Sequence, residues 1–217
     1  MIAAQDLHAA YRDRAVLRGV TLRLADGELT GVIGPNGAGK SSLLKVLARL
    51  LPPSRGTVTL GGRDLYRTFS ARQAARRVAL LPQDEAAAFP LTVRELVGLG
   101  RTPYLNAFGW FSPADVRAVD RAVSALGLRA LAERPLGELS GGERKRASVA
   151  RALAQEASVL LLDEPAAHLD PGHAAALFAV LRRLARAGRT VMVAAHELSL
   201  LAHHCDRLLL VDRGRVV

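Results

Sequence analysis

Gly34-Pro35-Asn36-Gly37-Ala38-Gly39-Lys40-Ser41-Ser42 follows one apolar run, residues 29–33, and leads into another, residues 42–51. The first run reads as a strand. The second carries Leu43, Leu44, Leu47, Leu50 and Leu51 at helical spacing and ends at Pro52-Pro53, so it reads as a helix. A strand, a G-x-x-x-x-G-K-S loop and a helix in that order make a phosphate-binding loop. Its glycines let backbone N–H groups curl around a polyphosphate, and the helix points its positive end at the same anion. Lys40 supplies a cation for the β- and γ-phosphates, and the Ser41 hydroxyl stands where it can ligate Mg²⁺. The nine residues from Gly34 to Ser42 therefore imply a nucleoside triphosphate.

Working outward, residues 2–8 and 20–24 alternate as strands do, and a turn at Asp26-Gly27 leads to residues 28–33. Short strands joined by a tight turn imply antiparallel pairing in this N-terminal part. Residues 56–60 form another strand, followed by a Gly61-Gly62 turn. The middle zone, residues 84–138, reads as mostly helical. Thr92 caps a run over residues 93–99, and a loop follows that contains Gly100, Pro103, Gly109, Trp110 and Phe111. Ser112-Pro113-Ala114-Asp115 then opens a helix with Val116, Val119, Val123 and Leu126 on its apolar face and Gly127 as its stop. From Leu139 onward, helices over residues 142–155 and 171–187 alternate with apolar strands over residues 159–163, 190–194 and 208–211. That alternation implies a parallel sheet covered on both faces.

Composition narrows the class. The 217 residues suit one substantial domain with room for an insert, and no apolar run approaches the ~20 residues a bilayer crossing needs. The first six residues show neither a basic nor an apolar signal region, so export is not expected. Cys205 is the single cysteine. It excludes an internal disulfide and is expected to be a packed thiol in a cytoplasmic protein. The net charge of +10 is almost entirely arginine, scattered without a like-charge block or interleaved aromatics, so a nucleic-acid partner is not expected.

Two further clusters bear on chemistry. The strand Val159-Leu160-Leu161-Leu162 runs into Asp163-Glu164, which puts two carboxylates at the ligand-binding edge of a parallel sheet. Asp163 is expected to hold the metal, and Glu164 to polarise the water that attacks the γ-phosphate. Leu139-Ser140-Gly141-Gly142-Glu143 opens a helix whose first turn has no large side chain, a second helix start able to meet an anion.

In combination with the phosphate loop and Asp163-Glu164, the L-S-G-G-E stretch resembles the nucleotide-binding subunit of ATP-binding-cassette (ABC) transporters. The resemblance spans essentially the whole chain. It implies an α/β fold: a P-loop NTPase core with a mostly parallel sheet (residues 1–83 and 139–217), an N-terminal antiparallel β subdomain, and an inserted helical subdomain (residues 84–138). It also implies that Tyr11 stacks on adenine, that Gln83 reaches the metal and the attacking water, and that His196 contacts the γ-phosphate. It further implies that Asp170 lies in a loop that crosses a dimer interface, with His168 where the family is serine-like. Two copies are expected to pair head to tail, each ATP lying between one chain's phosphate loop and the other's Ser140-Gly141-Gly142. The implied partners are separate transmembrane permease subunits and, indirectly, an external substrate-binding protein. The chain itself would sit peripherally on the cytoplasmic face of the cell membrane. The phrase T-V-x-E-L-V-x-L-G-R-x-P-Y over residues 92–104 is similar to ATPases of iron–siderophore, haem and cobalamin importers. Relatives usually extend beyond the point matching Val217. The rival reading is a soluble ABC ATPase working on nucleic acid or ribosomes, which usually carries tandem cassettes or a long coiled-coil insertion.

Overall fold

The structure is a computed structural model and describes residues 1–12, 14–83, 90–106 and 108–217. The part of the helical zone at residues 84–89 lies outside the described residues.

The described residues form two sheets. Strands β1 (Ile2–Tyr11) and β2 (Arg14–Leu24) pair antiparallel, and β4 (Arg55–Leu60) and β5 (Arg63–Asp64) extend them into a four-stranded sheet ordered β2-β1-β4-β5. The second sheet is ordered β10-β9-β3-β8-β7-β6. Its strands are β3 (Leu29–Ile33), β6 (Val78–Leu81), β7 (Val159–Asp163), β8 (Thr190–Ala194), β9 (Arg207–Asp212) and β10 (Arg215–Val216). All its pairings are parallel except that of β10 with β9.

The Asp26-Gly27 turn corrects one expectation. It does not close a hairpin. β2 pairs with β1, while β3 beyond the turn enters the other sheet between β8 and β9. The reason is burial: β3 reads Leu-Thr-Gly-Val-Ile with its first four residues buried, and such a strand suits a sheet covered on both faces.

Among the described residues, seven α-helices complete the fold: α1 (Lys40–Leu47), α2 (Ala71–Ala75), α3 (Val93–Gly98), α4 (Pro113–Ala125), α5 (Gly141–Ala154), α6 (Pro171–Arg186) and α7 (Leu198–His204). α1 stops four residues before the expected end. Arg49 turns left-handed (φ 63), its N–H reaches Val46 O at 3.0 Å, and Leu50 N–H reaches Lys45 O at 2.8 Å, a Schellman closure. Residues expected as loop after α3 wind instead into a 3₁₀ segment, Leu99–Tyr104. α6 ends as expected before Gly188, whose φ is 93.

Alternation along β7 shows how the layers are held. Val159 and Leu161 face a core shared with α1 and the antiparallel sheet; Leu160 and Leu162 face one shared with α5, α6 and the helical segment. Each fully buried leucine contributes about 1.5–3 kcal/mol, so this strand is anchored from both sides. In the helical segment, capping boxes Thr92/Glu95 and Ser112/Asp115 start α3 and α4, and both helices pack on α5. Val116, expected on the apolar face of α4, is 47% exposed; Ala118, Val119, Ala122 and Val123 make that face. The buried Arg101 joins Asp115 (2.9 Å) to Ala154 O (2.7 Å), pinning the 3₁₀ segment to α4 and to the end of α5. No described helix is long and apolar enough to cross a membrane.

Candidate nucleotide-binding site

The phosphate loop leaves β3 at its carboxyl end and enters α1 without a side-chain cap. The N-cap residue Gly39 has φ 108 and makes no side-chain bond to the helix start, so the first-turn N–H groups stay directed at the loop. Only glycine fits at two positions. A Cβ on Gly34 would lie 2.0 Å from Val211 O, and one on Gly39 would lie 2.7 Å from Val16 O. Lys40, 7% exposed, donates from Nζ to Gly34 O (2.6 Å) and Pro35 O (3.1 Å), which braces the loop from inside.

This loop forms one wall of a cleft of about 440 Å³. Asn36, Gly37, Ala38, Gly39, Lys40, Ser41 and Ser42 line it together with Gln83, Asp163, Glu164 and His196. Gln83 follows β6, Asp163 ends β7, and His196 follows β8, so three neighbouring parallel strands deliver these side chains to the same sheet edge. Gly34 and Pro35 lie behind the wall, as acceptors for Lys40.

The two carboxylates differ in surroundings. Asp163 is 4% exposed. Glu164 takes a left-handed backbone (φ 52), fixed by its N–H to Ala194 O at 2.9 Å and by Ala167 N–H to its own carbonyl at 3.2 Å. Its Oε1 is buried and receives no hydrogen bond among the described residues, although His196 Nε2 lies 3.1 Å away. Burial pushes the Glu164 carboxyl above the usual range and the Asp163 charge adds to the rise, while His196 and Lys40 oppose it. The acid is thus held in a left-handed turn at the cleft, with its buried oxygen beside the His196 ring.

Other residues expected at the site lie elsewhere. Ser140 caps α5: its hydroxyl accepts from Glu143 N–H (3.2 Å), and the Glu143 carboxylate accepts from Ser140 N–H (2.8 Å). Gly141 lines a separate hollow of about 300 Å³ with Arg144, Lys145, Ser148, Ala167, His168 and Gln83. Gly142 packs under the His168 backbone, where a Cβ would sit 3.4 Å from His168 O. Among the lining residues only Gln83 borders both hollows. Asp170 caps α6, and its hydrogen bonds from His173, side chain first and then backbone, hold its carboxyl down at about 2. Tyr11 is 44% exposed at the end of β1, with Lys45 Nζ 5.9 Å from its ring, and it does not line the cleft. Cys205 is packed against the core, and burial pushes its thiol up to about 12, so it stays protonated.

Arg14 and Val16 line the cleft, and sequence reasoning missed them. The available signal was Tyr11, the register partner of Arg14 across the first hairpin.

A parallel sheet with an uncapped helix start, an internal lysine and two carboxylates at its carboxyl edge defines a P-loop nucleotide-binding fold. The chain belongs to the ABC transporter family, whose sequence pattern matches residues 17–167. It is 46% identical over 202 residues to the cobalamin import ATP-binding protein BtuD of Halobacterium salinarum, covering 93% of this chain and 50% of that protein. It is 43% identical over 220 residues to the hemin import ATP-binding protein HmuV of Pseudomonas putida, covering 99% and 84%. The chain thus spans about half the length of the cobalamin-import relative and most of the hemin-import one. A solved ATP-binding subunit of an ABC transporter superposes with a TM-score of 0.86 at 25% identity, covering 100% of this chain and 88% of that one.

Proposed function

We propose that this chain is the ATP-hydrolysing, nucleotide-binding subunit that energises an ABC importer for a metal chelate such as an iron–siderophore complex, haem or cobalamin. The observation that carries the reading is the meeting of phosphate loop, Gln83, Asp163, Glu164 and His196 in one cleft. The substrate class rests on the cobalamin- and hemin-import relatives and on the phrase over residues 92–104. Residues 1–83 and 139–217 serve as the catalytic core and residues 84–138 as the helical insert of one ATPase unit.

The hollow at Gly141 is separate from the cleft, which supports two copies working head to tail. Each copy's Ser140-Gly141-Gly142, with Asp170 nearby in the chain, then serves the nucleotide held by the other's phosphate loop. An apolar groove of about 420 Å³ on the helical segment, walled by Leu91, Leu99, Leu105, Phe111 and Val116, supports docking of a separate membrane permease. The chain then sits on the cytoplasmic face of the membrane, and a substrate-binding protein acts on the far side.

Ser41, Gln83 and Asp163 are the residues that would hold Mg²⁺. They offer a hydroxyl, an amide oxygen and a buried carboxylate, a hard all-oxygen set that fits this ion alongside phosphate and water. When bound, it neutralises charge on the β- and γ-phosphates. Lys40 binds the same phosphates, and Tyr11 stacks on the base. His196 contacts the γ-phosphate and stands beside Glu164. Glu164 orients a water with its carboxylate. The water oxygen bonds to the γ-phosphorus as the bond from that phosphorus to the bridging oxygen breaks, and ADP departs with phosphate.

Glu164→Gln tests the assignment. ATP binding is expected to persist while hydrolysis falls by about 10²–10⁴. Because Glu164 in the free chain titrates above the ordinary glutamate range and must be ionised to orient water, kcat/KM falls on acidification at a higher pH than an ordinary glutamate would give. That limb disappears in the variant. Hydrolysis unchanged by the substitution removes Glu164 from the mechanism.

A further inference from the structure

We propose that Arg14 binds the phosphate chain of the nucleotide from a third wall of the cleft, one that the β9–β10 turn holds against the phosphate loop. The proposal rests on the ATP reading and adds a ligand to it.

The wall is built from close backbone contacts. Gly214 N–H donates to Ala38 O (2.8 Å) in the phosphate loop, and Arg18 N–H donates to Gly214 O (2.8 Å). A Cβ on Gly214 would lie 2.6 Å from Val16 O, the same carbonyl that crowds Gly39. Arg213 and Gly214 are both left-handed, φ 45 and 78, as a two-residue hairpin turn requires. β2, loop and turn therefore touch backbone to backbone, and the start of β2 is held at a fixed distance from the loop.

Strand period places Arg14 and Val16 on one face, and both line the cleft. Charge then distinguishes Arg14. Lys40 is buried, with its ammonium turned to two loop carbonyls, and the cleft also holds two carboxylates. Among the described residues Arg14 has no hydrogen-bond or ion-pair partner, and its side chain is exposed at the cleft. An uncommitted guanidinium facing a triphosphate site matches phosphate in charge and in fork geometry.

Isothermal titration of the full chain with ATP and with adenosine tests this. Arg14→Ala is expected to weaken ATP about tenfold, as loss of one charge-assisted contact does, and to leave adenosine within about twofold. Arg14→Lys falls between, since it keeps the charge without the fork. Unchanged ATP affinity overturns the proposal. An equal loss for adenosine also overturns it, because the contact would then be to the base or sugar. Lys40→Ala, run alongside, separates the two levels. If it weakens ATP and Arg14→Ala does not, only the Arg14 role falls. If neither variant matters, the nucleotide reading falls with it.

Discussion

Two helix starts in this chain look alike on paper and differ in how they are satisfied. α1 begins at Gly39 with no side-chain cap, no acid in its first turn, and Lys40 buried beneath. α5 begins at Ser140 with a reciprocal capping box, and Glu143 puts a carboxylate in its first turn. The first start keeps its N–H groups and its positive end for a ligand. The second has used one N–H on Ser140, and Glu143 partly offsets its positive end. By itself it is a weak anion site. In the proposed head-to-tail pairing it would gain strength from a phosphate already held by Lys40 and the loop of another copy.

The sharpest way to break this contrast is to place the same methyl group at each start. Gly39→Ala meets Val16 O at 2.7 Å and forces a side chain into φ 108, so ATP affinity is expected to fall by over a hundredfold, about 3 kcal/mol or more. At Gly141 nothing lies within 4 Å of an added Cβ, so Gly141→Ala leaves ATP binding by the single chain unchanged. Titration of both variants decides the matter. Equal losses would mean that the two starts serve one nucleotide within one copy.

A subtler separation uses bulk and charge. Ser140→Arg is expected to leave folding and single-chain ATP binding intact while abolishing ATP-dependent pairing of the hydrolysis-deficient Glu164→Gln protein. Light scattering reads this directly. Pairing that survives would detach the α5 start from the shared nucleotide.

The two starts also show which parts of the molecule could be read from sequence. Gly34–Ser42 and Ser140–Glu143 carry their conformations locally, in glycines and in a cap-and-acid spacing, so both were legible. So was the acidic pair after β7, because four consecutive apolar residues fix the strand that delivers it. The Asp26-Gly27 turn was misread because turn chemistry sets the reversal and not the sheet that the next strand joins. β6 escaped notice since its four residues follow Arg76-Arg77 and gain strand character only by pairing with β7. For Arg14 and Val16 the one nearby signal is Tyr11, which does not by itself mark a ligand wall. Their place depends on a turn some 200 residues away, Arg213-Gly214, pressing β2 against the loop. The strain at Glu164 was invisible for the same reason: its φ of 52 is imposed by hydrogen bonding to β8.

The smallest effect tests the electrostatic half of the contrast. Hydrogen bonds from the Ser140 backbone, then from its side chain, hold the Glu143 carboxyl below its usual range, so Glu143 is ionised at neutral pH. Glu143→Gln preserves the capping box, because a glutamine oxygen accepts the same Ser140 N–H, but removes the charge from the first turn. Losing that favourable placement is expected to lower Tm slightly. Pairing should respond in the opposite sense, since a neutral first turn no longer repels an incoming phosphate. Less ATP is then needed for half-maximal dimer in the hydrolysis-deficient background, most clearly at low salt, where the repulsion is least screened. A variant that lost stability and also needed more ATP would show that Glu143 supports the incoming nucleotide rather than opposing it.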